Sequence, residues 1–231
     1  MRLHSNPVGG MAFLVPGLIG QALPARSFGL GQLFYTLDLA PGGAPGVEVA
    51  GVLYGADTLP LAPIADRLPL TRPAALRVAR ALAPALLLAT GYLPGAWSDN
   101  RLWVEEDGAD GRLRIEGRQT VDAERLLARG FATLAGRMRR RGAWALPGSR
   151  RILPPGADAH PAGTLPIGGA GPAATLADGE LAGAPGIVIA DGAALPLLSA
   201  RHPTLTIMAH ADASARALAR RLAAPVAARA G

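Results

Sequence analysis

The part of the chain that decides its fold reads His160-Pro-Ala-Gly-Thr164, and further on Gly186-Ile-Val-Ile-Ala-Asp191 leading to Arg201-His202-Pro203-Thr204. The apolar run over 186–190 is rich in β-branched residues and predicts a buried strand, which Asp191-Gly192 closes with a loop. The alanine-rich segment that follows predicts a helix over 203–224, opening on Pro203 and closed by Pro225. His202 is therefore expected at the N-terminus of the last helix.

The predicted position of His202 indicates a chemical role for this residue. Free amides and the helix dipole at a helix N-terminus favour negative charge, so they disfavour protonation of a histidine placed there. A neutral imidazole is suited to accept a proton from a hydroxyl group. His160, which lies in a Gly-Thr turn, is a second candidate for the same task.

Four segments of the chain, in this order, resemble the glucose-methanol-choline (GMC) family of flavoprotein oxidoreductases. They are His160-Pro-Ala-Gly-Thr-Leu-Pro-Ile-Gly168, Gly179-Glu-Leu-Ala-Gly183, Gly186-Ile-Val-Ile-Ala-Asp-Gly-Ala-Ala-Leu-Pro196 and His202-Pro-Thr-Leu-Thr-Ile207. The resemblance implies FAD-dependent oxidation of CH–OH groups, as in alcohol and choline dehydrogenases, with His160 and His202 as the catalytic pair. It also implies that four further residues bind the cofactor, namely Asp191, Gly192, Pro203 and Thr204.

The elements predicted upstream of His160 mix strands and helices without strict β-α-β alternation, which indicates an α+β fold. We expect a strand over 47–54, a helix over 73–89 kinked at Pro84, a hairpin of 101–105 and 112–117, and a helix from about 120 to 141. The predicted domains are a GMC-like substrate-binding domain over 1–149, built on an antiparallel sheet with flanking helices, and the C-terminal portion of an FAD-binding domain over 150–231. The strand, loop and helix of the second domain would complete that FAD-binding domain.

The glycine fingerprint of dinucleotide-binding folds requires a preceding strand and a following helix. Ile167-Gly-Gly-Ala-Gly171, which follows His160, comes after Pro166 rather than after a strand. No such fingerprint occurs in the sequence before His160. We therefore expect the amino-terminal Rossmann unit to be missing and an FAD-binding half or subunit to be required as a partner. Three alternatives stay open: a split enzyme, a non-catalytic accessory module or gene fragment that retains the fold, and a chain that binds flavin weakly alone.

The amino-acid composition limits which other classes of function the chain can have. Half of the 231 residues are hydrophobic, which indicates a globular protein. The net charge of +6 comes from an excess of arginine, since the chain has no lysine, but no aromatic residues interleave with the arginines, so we expect no nucleic-acid partner. The longest apolar run, over 81–90, is shorter than the roughly 20 residues of a membrane span, and no secretory signal opens the chain. A cytoplasmic protein without a membrane partner is predicted.

Other site chemistries fit the sequence less well. The absence of cysteine excludes thiolate metal sites and cysteine nucleophiles. His160 and His202 with a carboxylate such as Asp158 or Asp191 would suit zinc or iron, but their spacing matches no known ligand pattern, so no metal is expected. The Gly-x-Ser-x-Gly turn of many serine hydrolases is absent. The apolar loops predicted to line the pocket favour a neutral small-molecule alcohol as the substrate.

Two further histidines are assigned non-catalytic places. Leu3-His-Ser-Asn-Pro7 partly resembles a family motif but has Asn6 where the family tends to have His, and His4 is expected at the surface. His210 lies two turns into the last predicted helix and is expected to be structural.

Overall fold

The computed structural model describes residues 1–22, 31, 33–39, 46–56, 60–105 and 111–223. Contacts between residues divide the chain into two compact units. The first unit comprises Met1–Pro7, Pro94–Ala123 and Pro154–Gly231, and the second comprises Val8–Leu93 and Glu124–Leu153. The predicted domain boundary at residue 149 stays a prediction, and the predicted helix stop at Pro225 lies outside the described residues.

The second unit is built on one antiparallel sheet. Its strands are β1 Val8–Leu14, β2 Leu33–Asp38, β3 Glu48–Gly55, β4 Leu86–Tyr92, β7 Trp144–Ala145 and β8 Arg151–Ile152. The strand order is β2-β3-β4-β1-β7, and β8 also pairs with β1. Its helices are α1 Ala62–Ala65, α2 Arg72–Leu82 and α3 Val121–Arg139 from Glu124 onward. The predicted α+β class with an antiparallel sheet is confirmed.

A row of glycines crosses this sheet where α3 packs on it. Gly51 pairs with Gly91, and Gly91 pairs with Gly9, so three glycines stand side by side on adjacent strands. A Cβ on Gly9 would lie 2.7 Å from the Phe131 ring, and one on Gly91 would lie 3.1 Å from it. Phe131 is almost fully buried. The missing side chains of Gly9 and Gly91 therefore let the aromatic ring of α3 approach the backbone of the sheet.

The helix predicted over 73–89 is wrong in its second half. The helix α2 ends at Leu82, a short 3₁₀ turn carries Pro84, and Leu86–Tyr92 forms β4. Since β4 pairs along its length with both β1 and β3, two ladders of backbone hydrogen bonds override the helical preference of its leucines and alanines. Gly91, two residues beyond the predicted end of that helix, lies within the strand.

The first unit contains a hairpin and the last helix. The hairpin consists of β5 Arg101–Glu105 and β6 Arg112–Glu116, as predicted. Leu113 and Ile115, the apolar residues that alternate with charged ones along β6, are both more than half exposed. The last helix, α4, runs over Thr204–Ala223, close to its predicted bounds. Within the described residues, no helix combines the length and apolar character that crossing a bilayer would require.

The buried strand predicted over 186–190 does not form. Gly186 lies in a turn with φ +88°. Residues 187–190 follow as a short extended segment that makes only an isolated bridge, between Val188 and Glu180, and Ile187 is half exposed. A strand needs a neighbour along most of its length, and no described residues pair with this segment beyond that bridge. The predicted strand, loop and helix therefore become an extended segment, a 3₁₀ turn over Gly192–Ala194 and α4.

Candidate active site

The first unit joins its two conspicuous sequence motifs through backbone hydrogen bonds. Gly163 N–H donates to the carbonyl of Gly192 at 3.2 Å, and Leu165 N–H donates to that of Ala193 at 2.9 Å. Ile167 N–H continues the pattern to the carbonyl of Ala194 at 2.9 Å. The turn that carries His160 is thus fixed against the loop that follows Asp191.

The start of α4 is fixed to the same region by apolar packing. Ile207, in the first turns of the helix, packs against a buried cluster of Ala162, Leu195 and Leu198. Its N–H donates to the carbonyl of Pro203 at 2.9 Å, which makes Pro203 the residue that opens the helix. His202, immediately before Pro203, is therefore held close to the residues that follow His160.

The structure brings His160 and His202 together. Their ring centroids lie 5.4 Å apart, and the ring planes are inclined by 29°, so the imidazoles are stacked. Two polar rings at this distance from each other can contact one small polar group of a substrate. Their catalytic role stays a prediction.

Asp158 binds His160 and was singled out from the sequence only as a possible metal ligand. Its Oδ1 lies 2.8 Å from Nδ1 of His160. The Asp158 side chain is 1% exposed, whereas that of His160 is 23% exposed. The second carboxylate oxygen, Oδ2, accepts the N–H of Asn6 at 2.8 Å. Both carboxylate oxygens of Asp158 therefore have a hydrogen-bonding partner.

Asn6 also reaches the segment before the second histidine. Its side-chain Nδ2 donates to the carbonyl of Ser199 at 2.8 Å, and Asn6 itself is buried. The sequence contained only a faint signal for this role, the partial motif Leu3-His-Ser-Asn-Pro7. Asp158, two residues before His160, had no signal beyond its proximity.

The surroundings of His202 favour its neutral form. Desolvation lowers the pKa of His202, even though the residue as a whole is exposed, because neighbouring atoms remove part of the water around its ring. A positive charge on the nearby His160 would lower the pKa of His202 further, while the Asp158 carboxylate acts in the opposite direction. The net direction is downward, so His202 is suited to exchange hydrogen bonds as a neutral ring.

The four residues predicted to bind the cofactor lie in the loop and at the helix start just described. Asp191 caps the 3₁₀ turn, because its Oδ1 accepts the N–H of Ala193 at 2.9 Å. Gly192 is buried, and a Cβ there would lie 2.9 Å from the carbonyl oxygen of Pro161. Pro203 is also buried, and Thr204 is the exposed first residue of α4. Their role in cofactor binding stays a prediction.

These residues fit the reactive ring end of a flavin. The stacked imidazoles stand beside the N-terminus of a 20-residue helix, where backbone amides favour negative charge. Described residues offer no β-α-β unit for a diphosphate, since every ladder in both sheets is antiparallel.

The other two histidines have structural contacts. His4 is 7% exposed, so the expectation that it lies at the surface is wrong. It forms an antiparallel bridge with Ala162, and its ring occupies the space where a Cβ on Gly163 would lie. Gly163 has φ +81°, a conformation that favours glycine. His210 Nε2 lies 2.8 Å from the carbonyl oxygen of Ile189, which ties α4 to the extended segment.

Across the ranges that the structure describes, no three His, Asp or Glu side chains form a group able to hold a metal ion. Asp158 instead uses its oxygens for His160 and the Asn6 amide.

The comparison with known families gives the class of the protein: the model described as GMC oxidoreductase matches residues 74–211, more than half of the chain. The chain therefore belongs to the GMC oxidoreductase family, whose members are flavoproteins, and corresponds to its C-terminal region. A search among curated proteins found no match.

Proposed function

We propose that this chain carries the proton-handling site of an FAD-dependent oxidoreductase that acts on the CH–OH group of a small-molecule alcohol. The observation that supports this proposal is the stack of His160 and His202 at the start of α4. Membership of the GMC family supplies the class of reaction, and the two imidazoles supply the acid-base groups that such a reaction requires.

The chain's residues divide the chemistry between them. One imidazole accepts the proton of the substrate hydroxyl while the carbinol C–H bond breaks, and the other holds the hydroxyl oxygen in line. When bound, FAD would supply the two-electron acceptor that takes the hydride, so that the alcohol leaves as a carbonyl compound. The amides at the start of α4 would stabilise negative charge that develops nearby.

A partner is part of the proposal. We infer that an amino-terminal FAD-binding half or subunit supplies the main grip on the cofactor, because the described residues contain no dinucleotide-binding unit. Exposed apolar side chains on the first turns of α4 support a covered surface there, since Leu205 is 78% exposed and Met208 is 63% exposed. These residues stand close in sequence to His202.

The test is flavin reduction in the reconstituted enzyme. The chain is co-expressed with a neighbouring reading frame that carries the Gly-x-Gly-x-x-Gly fingerprint, and reduction of bound FAD by an alcohol is followed by stopped-flow absorbance. His160→Ala and His202→Ala are each expected to slow reduction by about 10²- to 10⁴-fold, because a positioned acid-base group is lost. FAD content, measured from the visible spectrum, is expected to stay unchanged.

The matched control is His210→Ala, which removes a histidine of the same unit that contacts a backbone carbonyl rather than the histidine pair. Its reduction rate is expected to equal that of the unmodified chain. Equal rates in all three variants would instead support a non-catalytic accessory module that retains the fold.

A further inference from the structure

The buried carboxylate of Asp158 lies next to the histidine pair and has no role in the function proposed above. Buried carboxylates are costly unless they are paired or fully hydrogen-bonded. Both oxygens of Asp158 are used: Oδ1 faces Nδ1 of His160 at 2.8 Å, and Oδ2 accepts the Asn6 amide at 2.8 Å. Of the two partners, only His160 can change its protonation or exchange one tautomer for another.

We propose that Asp158 is a positioning residue that holds His160 in the tautomer with the proton on Nδ1, and so makes Nε2 of His160 the proton acceptor of the pair. This inference rests on the proposed function for its catalytic consequence, but the tautomer itself does not. A carboxylate is only an acceptor, so the ring must present Nδ1–H to it, and the neutral ring then has an acceptor lone pair on Nε2.

The backbone N–H of Asn6 determines that one oxygen of Asp158 faces Asn6 and the other faces His160. Because the Asn6 N–H donates to Oδ2, the carboxylate cannot turn without losing that bond, and its other oxygen stays directed at His160. The same donor also determines how the amide group is oriented in Asp158→Asn. The amide oxygen of the new side chain would stay with the Asn6 N–H, so its NH₂ group would face Nδ1 of His160 as a donor.

In Asp158→Asn, Nδ1 of His160 would therefore have to act as the acceptor, and the ring proton would move to Nε2. The opposite orientation of the amide would place two donors against each other at Asn6. In serine proteases, an aspartate-to-asparagine change of this kind leaves the geometry intact but lowers kcat about 10⁴-fold, because the histidine is held in the wrong tautomer. The variant is thus expected to keep the fold while the donor and acceptor nitrogens of His160 are exchanged.

The direct test is ¹⁵N NMR of the full chain labelled on its histidines, recorded at a pH where imidazoles are neutral. The chain has four histidines, and loss of one signal set in His160→Gln assigns His160. In the unmodified chain we expect the Nδ1–H form to exceed the Nε2–H form by about tenfold or more, since hydrogen bonds to charged groups are the stronger ones. An unmodified chain with His160 mainly in the Nε2–H form would overturn the proposal without any carboxylate variant.

Asp158→Asn is then expected to reverse the ratio. The matched control is Asp212→Asn, the same chemical change in an exposed ion pair with Arg216 on α4, which should leave the His160 signals unaltered. Asp158→Glu retains a carboxylate and is expected to recover part of the Nδ1–H form. An unchanged tautomer in Asp158→Asn, with amide signals still dispersed, would overturn the proposal.

The reconstituted enzyme separates this inference from the proposed function. If both hold, Asp158→Asn slows flavin reduction by about 10²- to 10⁴-fold with FAD still bound. If the tautomer reverses but no alcohol reduces the flavin in the unmodified complex, the proposed function fails while the assignment of Asp158 stands. A slowed reduction without any change of tautomer would overturn the positioning role alone.

Discussion

His4 is a buried titratable residue whose protonation opposes folding. Burial lowers the pKa of His4 from its usual value of 6.5, the nearby Arg2 lowers it further, and the carbonyl of Gly95 partly offsets both. The ring therefore stays neutral to a lower pH in the folded chain than in the unfolded chain, which protonates it below about pH 6.5. Because the unfolded state then binds more protons, stability is present above that pH and is lost as the pH falls. His202, with its lowered pKa, acts in the same direction.

We expect the free energy of unfolding, measured by urea titration, to fall as the pH is lowered from 7 to 5. His4→Gln removes one of the contributing groups, so its stability should decline less steeply over the same interval. The slopes are compared rather than the absolute values, because the substitution also changes packing around Gly163. Identical slopes in the two chains would contradict this account of His4.

Single residues also show what the sequence could and could not predict at the site. The two histidines could be identified because motif positions are read along the chain, and the start of α4 follows from its proline and alanines. Asp158 and Asn6 could not, since the bond between them joins positions separated by 152 residues. Only the folded chain shows that the carboxylate accepts two hydrogen bonds and that His4 is covered.

Among the elements, β1 contains two adjacent glycines in different environments. A Cβ on Gly9 would lie 2.7 Å from the Phe131 ring and 2.8 Å from the carbonyl oxygen of Arg151, whereas one on Gly10 would meet only the Ala89 carbonyl at 3.5 Å. We expect Gly9→Ala to lower the free energy of unfolding by about 1–3 kcal/mol, the usual effect of overpacking. Gly10→Ala is the control and should stay within about 1 kcal/mol, since alanine restricts the unfolded chain.

Urea unfolding of the two variants measures the difference. Gly9→Ala is also measured in a chain that already carries Phe131→Leu. Equal stabilities of the Gly9 and Gly10 variants would show that α3 does not depend on close approach to the sheet. The antiparallel sheet and the helix α3 could be predicted from the sequence. At the start of that helix, Thr120 Oγ1 accepts the Ala123 N–H at 3.1 Å. The strand β4 was not predictable, because its neighbours decide its conformation.

At the scale of the whole molecule, neither compact unit is a continuous piece of chain. The first unit needs three segments, and backbone bonds join them: His4 N–H donates to Ala162 at 2.8 Å, and Gly95 N–H donates to Leu198 at 2.8 Å. We therefore expect the fragment 154–231 to be unfolded alone, because its buried residues would lose those partners. A ¹H–¹⁵N spectrum with narrow amide dispersion and a melt without a cooperative transition would confirm this.

The intact chain serves as the reference in the same buffer. A fragment with dispersed amides and a cooperative melt would contradict the expectation and would favour the predicted division near residue 149 into autonomous domains. The experiment thus distinguishes two units built from several chain segments from two continuous domains that meet near residue 149.

The buried Asn6 has one more consequence. Its backbone amide holds the carboxylate beneath one imidazole, and its side chain holds the carbonyl of Ser199, three residues before the other imidazole. These two loops are 152 and 193 positions away from Asn6 in sequence. Asn6, which belongs to neither motif, therefore links the two loops directly, in addition to the backbone bonds at Gly163 and the packing of Ile207. A displacement of either loop would strain a hydrogen bond at the same asparagine.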